Sequence, residues 1–185
     1  MKATGIVRRI DELGRIVVPK EIRKNLRINE GENLEIFVDD EDNIVLKRYS
    51  LVKKLEELSK VISESIYYYT KNVALVFDSK EIIAVSGLSK KDYLNKEISN
   101  HLESMILKRE NTISRSIETI EITDDKTLKA SYAICPIILS GDCIGSIIIL
   151  NEKNEITDAD YKIIQIASKI LCTSLEWYVK ECKMS

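Results

Sequence analysis

The first fifty residues hold short β-patterned runs and one brief helix, and that is too little chain to enclose a core. Thr4–Ile10 reads as a strand, and Gly14 supplies the loop after it, since glycine takes a positive φ at no steric cost. Ile16–Val18 is a second, short strand. Pro19 stands where a helix would open, at the first helical position where its missing N–H is harmless, and Lys20–Leu26 follows with Ile22 and Leu26 on one face. Leu34–Asp39 alternates, Asp40–Asn43 turns, and Ile44–Lys47 returns. Units below roughly 40–60 residues need a staple or a partner. No cysteine falls in this region and the single histidine lies elsewhere. Residues 1–50 are therefore expected to fold as a dimer, interleaving strands with a second copy.

Charge divides the same stretch. Residues 1–27 carry eight basic and three acidic side chains, a balance of +5, whereas residues 28–50 carry two and seven, a balance of −5. The chain as a whole stands at −2, so the basic face is a local construction aimed at something anionic. Adjacent Arg8 and Arg9 point to opposite faces of a strand, Arg15 is presented by a loop, and Arg23 and Lys24 sit on the helix away from its apolar side. Cations on strand, loop and helix suit phosphate contacts, and arginine can also fork onto guanine edges. The plainer alternative is a solvated charged face.

From residue 51 the pattern changes. Ser50 caps a helix in which Leu51, Leu55, Leu58, Ile62, Ile66 and Tyr69 recur at steps of four and three. Val73–Phe77 and Ile82–Val85 read as a hairpin, Ser89–Arg109 as mostly helical, and Ser114–Ile122, Lys129–Leu139 and Cys143–Leu150 as strands. Ser140-Gly141-Asp142 is the tight turn between the last two. Thr157 and Asp160 resemble a capping box opening a final helix with a wide apolar stripe from Ile163 to Val179. An antiparallel sheet flanked by helices follows, an α+β domain over 51–185.

Other classes find little support. No run approaches the roughly 18 apolar residues of a membrane span, and the N-terminus lacks a secretory h-region, so a cytoplasmic protein without membrane partners is expected. Cys135, Cys143, Cys172 and Cys182 form no C-x-x-C pair, which supports no metal site and leaves thiols in a reducing compartment, with Cys182 the one expected to be exposed. Cys135 and Cys143 could face each other across a hairpin, but both lie in apolar strands that read as core. No catalytic set, P-loop or cofactor motif is visible, so no catalytic residues and no cofactor are expected.

The segment ATGIVRRIDELGRIVVPKEIRKNLRINEGENLEIFVDDEDNIVLKRY, Ala3 to Tyr49, closely resembles the AbrB-type swapped-hairpin DNA-binding domain of bacterial transition-state regulators. That family folds as an intertwined dimer. The resemblance implies that Arg8, Arg9, Arg15, Arg23 and Lys24 line the face for double-stranded DNA. Lys24 often appears there as arginine, and the exchange trades bidentate readout for a point charge. Ala130–Glu176 and AVSGLSKKDYLNKEIS (Ala84–Ser99) resemble a GAF domain. The pairing of the two resembles a family of sporulation regulators of endospore-forming bacteria. It implies a transcriptional activator and repressor whose GAF domain serves ligand sensing, oligomerisation or both, with an unidentified small molecule as the candidate ligand. The N-K-F-D-E pattern of cyclic-nucleotide GAF domains is matched weakly: Asn151, Lys153 and Asp160 fall near it, but Ile156 and Tyr161 depart. Antitoxins share the swapped hairpin but end in a short toxin-wrapping tail, where this chain continues into a folded domain. The helix from Leu51 to Tyr69 and the closing one are expected to build a tetramer, with Ile62 and Tyr69 as outward-facing candidates.

Overall fold

A computed structural model describes residues 5–26, 28, 30 and 34–184, for 48 and 181–184 the backbone only. The start of the expected first strand at Thr4 and the exposure expected of Cys182 lie outside the described residues. Two compact units are present, Met1–Tyr49 and Ser50–Ser185.

The first unit contains α1 (Lys20–Asn25), β1 (Leu34–Val38) and β2 (Ile44–Arg48). Pro19, expected at the first helical position, is instead the N-cap residue, one place before α1 opens at Lys20, with φ −57° and ψ 145°. Its extended ψ redirects the chain, and its ring needs no hydrogen-bond partner there. β1 and β2 pair antiparallel from Leu34↔Arg48 to Val38↔Ile44, which sets Ile36 and Val38 beside Leu46 and Ile44 on one face. An aspartate builds the turn: Asp39 Oδ1 accepts from the amides of Glu41 (3.0 Å) and Asn43 (2.9 Å), and Asp42 takes φ 58°. Residues 11–15 repeat this construction. Asp11 Oδ1 accepts from the amides of Leu13 (3.0 Å) and Arg15 (2.8 Å), and Gly14 takes φ 75°.

The flanks of that second turn differ from expectation. Residues 5–10 and 16–18, expected as strands, belong to neither sheet. A strand persists only when a ladder takes its backbone groups, and a single chain supplies the turn at 11–15 without that ladder. No described residue of this unit is buried. Val7 is 87% exposed, and on the hairpin face Ile36 is 67% and Val38 69% exposed.

The second unit carries a five-stranded antiparallel sheet of order β4-β3-β7-β6-β5. Its strands are β3 (Val73–Asp78), β4 (Ile82–Ser86), β5 (Thr112–Thr123), β6 (Lys126–Leu139) and β7 (Asp142–Asn151). Ser140 and Gly141, at φ 53° and 90°, make the two-residue turn between β6 and β7. The helix expected over 51–69 is two: α2 (Leu51–Lys54), capped by Ser50 Oγ from the Lys53 amide at 3.1 Å, and α3 (Glu56–Thr70). Leu55, at φ −106° and ψ 33°, breaks the run, and its side chain packs on the core. The region expected as mostly helical splits into α4 (Lys90–Tyr93) and α5 (Asn100–Leu107). Between them Asn95 takes φ 58°, and its amide and the Lys96 carbonyl bond Ile82, so the chain covers the outer edge of β4 instead of coiling.

α6 (Asp158–Met184) closes the unit. Its capping box is formed: the Asp160 amide donates to Thr157 Oγ1 at 3.1 Å and the Thr157 amide to Asp160 Oδ2 at 3.0 Å. Helices α3 and α6 cover one face of the sheet, burying Ile62, Ile66, Ile147, Ile149, Ile164 and Leu171. The short α4 and α5 cover the other over Phe77, Ile98, Leu102, Ile122 and Ile148. Gly145 is required where β7 pairs with the end of β3, opposite Asp78. A Cβ there would strike the Phe77 carbonyl oxygen and lie 3.0 Å from a Val52 methyl.

Candidate nucleic-acid interface

The basic side chains of the first unit are set out by three local devices. The segment before the first turn carries Arg8 and Arg9, both exposed, with Arg8 Nη1 donating to the Val7 carbonyl at 3.1 Å. The turn itself carries Arg15, whose side chain is 72% exposed while its Nε donates to Asp11 Oδ2 at 2.7 Å. The amide and guanidinium of Arg15, in that order, hold the Asp11 carboxyl below the usual carboxylate value. The third device is α1. Here Arg23 is half-buried and Lys24 exposed, and both stand in the last turn, where the carbonyl end of the helix favours cations.

These two share an open depression with Lys20, Ile28 and Glu30. Lys20 was not singled out from the sequence, yet the spacing 20, 23, 24 is the i, i+3, i+4 relation that puts three side chains on one helix face. The structure thus groups Lys20, Arg23 and Lys24 on α1, and places Arg8, Arg9 and Arg15 on the preceding segment and its turn. Exposed cations on an irregular segment, a turn and a helix end can replace the counterions of a polyanion, which is what a phosphate backbone requires.

The second unit offers other features. The strand register parts Cys135 from Cys143, correcting the facing arrangement: Cys135 lies opposite Ile147 and Cys143 opposite Ile138, with their side chains packed on different faces of the sheet. Burial pushes the thiols of Cys135, Cys143 and Cys172 up, which favours the poorly nucleophilic protonated form. Asn151 has a structural task, donating to Asn72 Oδ1 at 2.6 Å and accepting from the amides of Lys153 and Asn154. Two hydroxyl-bearing side chains join that second apolar layer, Tyr93 from α4 and Tyr132 from β6. Tyr93 is raised by burial, and Tyr132 is pushed up to about 12 by burial and then by a hydrogen bond to Glu118.

Outward from the sheet, α6 presents Ile166, Ile170 and Trp177 to solvent along a groove of about 450 Å³. On α3, Val61, Tyr68 and Tyr69 are exposed, whereas Ile62, expected to face outward, is buried against the sheet. The four-residue step from Leu58 carries Ile62 onto the core face once α3 starts afresh at Glu56.

Comparisons with known proteins match the chain in two stretches. Residues 54–176 match the family model described as stage V sporulation protein T C-terminal, transcription factor. Residues 7–54 match that of the antidote-toxin recognition protein MazE, a bacterial antitoxin. The chain is 40% identical over 178 residues to stage V sporulation protein T of Bacillus subtilis (strain 168), covering 95% of this chain and 99% of that protein. It is 61% identical over 49 residues to the transition state regulatory protein AbrB of the same organism, 26% of this chain and 50% of AbrB. The second unit has the GAF fold. A crystal structure of the GAF domain from Acinetobacter phosphoenolpyruvate-protein phosphotransferase superposes with a TM-score of 0.56 at 10% identity, covering 70% of this chain and 84% of that one.

Proposed function

The chain belongs to the stage V sporulation protein T family, and from that premise we propose that Arg8, Arg9, Arg15, Arg23 and Lys24 bind double-stranded DNA, with Lys20 beside them. The protein is a sporulation transcription regulator that joins an AbrB-type DNA-binding domain to a GAF domain. Both activation and repression of sporulation genes are part of this reading. The observation that carries the DNA face is the +5 balance of residues 1–27 in a chain whose total is −2, with Arg8, Arg9, Arg15, Arg23 and Lys24 set out on the first segment, its turn and α1. Its swapped-hairpin segment also matches an antitoxin model, but that match ends at residue 54 and a second folded unit follows.

The functional particle is more than one chain. A unit with no buried residue among those described, and with Ile36, Val38, Ile44 and Leu46 exposed on one sheet face, has its core only when a second copy supplies the other half. The exposed stripe of Ile166, Ile170 and Trp177 on α6, with Val61 and Tyr69 on α3, is the surface through which two such dimers close into a tetramer. Two DNA faces held on one particle bind with an avidity that neither has alone. The GAF domain serves this assembly, senses a small molecule, or does both.

The test is genomic. Tagged wild-type protein in its own host should occupy promoters during spore development. A variant with Arg8, Arg15 and Arg23 changed to alanine should be expressed equally and lose that occupancy. Retained occupancy by the triple variant would overturn the assignment of the face.

A further inference from the structure

Asp11 is an acidic residue in the middle of the basic stretch, and simple electrostatics gives it a cost: a carboxylate beside a phosphate-binding face repels the ligand. Its geometry says otherwise. Oδ1 accepts from the amides of Leu13 (3.0 Å) and Arg15 (2.8 Å), while Oδ2 accepts from Arg15 Nε at 2.7 Å. One carboxylate thus fixes both the backbone of residue 15 and the near edge of its guanidinium. The turn is further closed by the Gly14 amide on the Asp11 carbonyl (2.9 Å) and the Asp11 amide on the Arg15 carbonyl (3.1 Å). With Nε held, the Arg15 side chain still remains 72% exposed, which leaves its guanidinium open to a ligand.

We infer that Asp11 is a positioning residue for Arg15, orienting its guanidinium for the phosphate backbone. The inference rests on the reading that Arg15 faces DNA. An arginine on an exposed loop otherwise samples many rotamers, and the entropy of fixing one falls on the binding step. A carboxylate that has already fixed it removes part of that loss. The arrangement also differs from that at the other turn, where Asp39 bonds the side chain of Asn43, an uncharged residue, through the same backbone pattern.

The two effects of Asp11 have opposite signs, so one substitution separates them. Asp11→Asn keeps an oxygen for the Leu13 and Arg15 amides and removes the charge and the acceptor for Nε. The experiment titrates full-length protein against a duplex selected by the wild-type chain from a random pool, using wild type, Asp11→Asn, Arg15→Ala and the double variant. Positioning predicts that Asp11→Asn weakens binding by about three- to tenfold and adds nothing in the Arg15→Ala background. A shifted Arg15 Nε–H resonance in arginine-labelled Asp11→Asn protein, with the Leu13 and Arg15 amides unmoved, should accompany it. Unchanged or tighter binding by Asp11→Asn overturns the proposal, as does an equal further loss in the Arg15→Ala background, which marks a collapsed turn. If Arg15→Ala itself binds as wild type does, the DNA face is misassigned and the positioning role falls with it.

Discussion

Replacing Ile36 by alanine separates a dimeric first unit from a self-sufficient one. Ile36 stands in the middle of β1, opposite Leu46, and is 67% exposed in the single chain. Truncation removes the carbons beyond Cβ. At about 0.8 kcal/mol for each buried carbon, and with about two-thirds of the side chain left to be covered by a partner, the loss is about 1.6 kcal/mol per protomer. A symmetric dimer loses that twice, about 3 kcal/mol, which raises its dissociation constant about 200-fold. If the face stayed in solvent, the same change would fall within about 0.5 kcal/mol of neutral. Urea unfolding of residues 1–50, followed by far-UV circular dichroism at several concentrations, reads both quantities. The wild-type midpoint should rise with concentration, and the Ile36→Ala curve should reach the same midpoint only at far higher concentration. A midpoint independent of concentration, or a variant that unfolds with the wild type, refutes the reasoning.

Three further outcomes are expected. If the proposed tetramer closes through α6, Trp177→Asp with Ile170→Asp in the full chain should halve the mass measured by light scattering from four chains to two, since both side chains are exposed on α6; a wild-type mass of two chains, or an unchanged four-chain mass in the variant, would contradict that contact. Gly145→Ala should lower the thermal stability of the second unit by about 1–3 kcal/mol, because β7 must move off the Phe77 carbonyl, and an unaltered melt would contradict that close approach. The Asp39 carboxyl is held below its ordinary value of 3.8, first by the Asn43 amide, so its charge stabilises the hairpin above that pH and ceases to do so as pH falls through the depressed value. The stability gap between wild type and Asp39→Asn should therefore close on acidification, and a constant gap would deny the charge any part.

Much of this was legible in the sequence where local chemistry decides it. Ser50, the Thr157/Asp160 box and Ser140-Gly141 each announce a cap or turn by residue type, and each is formed. The alternation of β1 and β2 was equally plain. Where partners come from a distance, the reading slipped. Ile16–Val18 has the composition of a strand, but its state depends on a ladder that one chain does not provide. The helix from Leu51 has an unbroken apolar stripe, yet Leu55 leaves the helical region while packing on the core, so periodicity survives the break in backbone. Asn95–Ser99 carries no strand signal, because its role is to cover β4 with backbone groups rather than side chains. At the candidate site, the basic residues stood out by charge. Lys20 was hidden by counting charges without the helix period, and Asp11 by counting it only as a subtraction from the local excess.

The central claim is that the basic face of the first unit meets the phosphates of DNA, and the salt dependence of binding tests it most directly. Full-length protein is titrated by fluorescence anisotropy against the selected duplex over a range of salt concentrations. Wild type is compared with the variant carrying Arg8→Ala, Arg15→Ala and Arg23→Ala. The account predicts a steep wild-type decline of log affinity with log salt, and a slope shallower by about 0.9 for every phosphate contact the variant loses. Equal affinities and parallel salt slopes for the two proteins would contradict it.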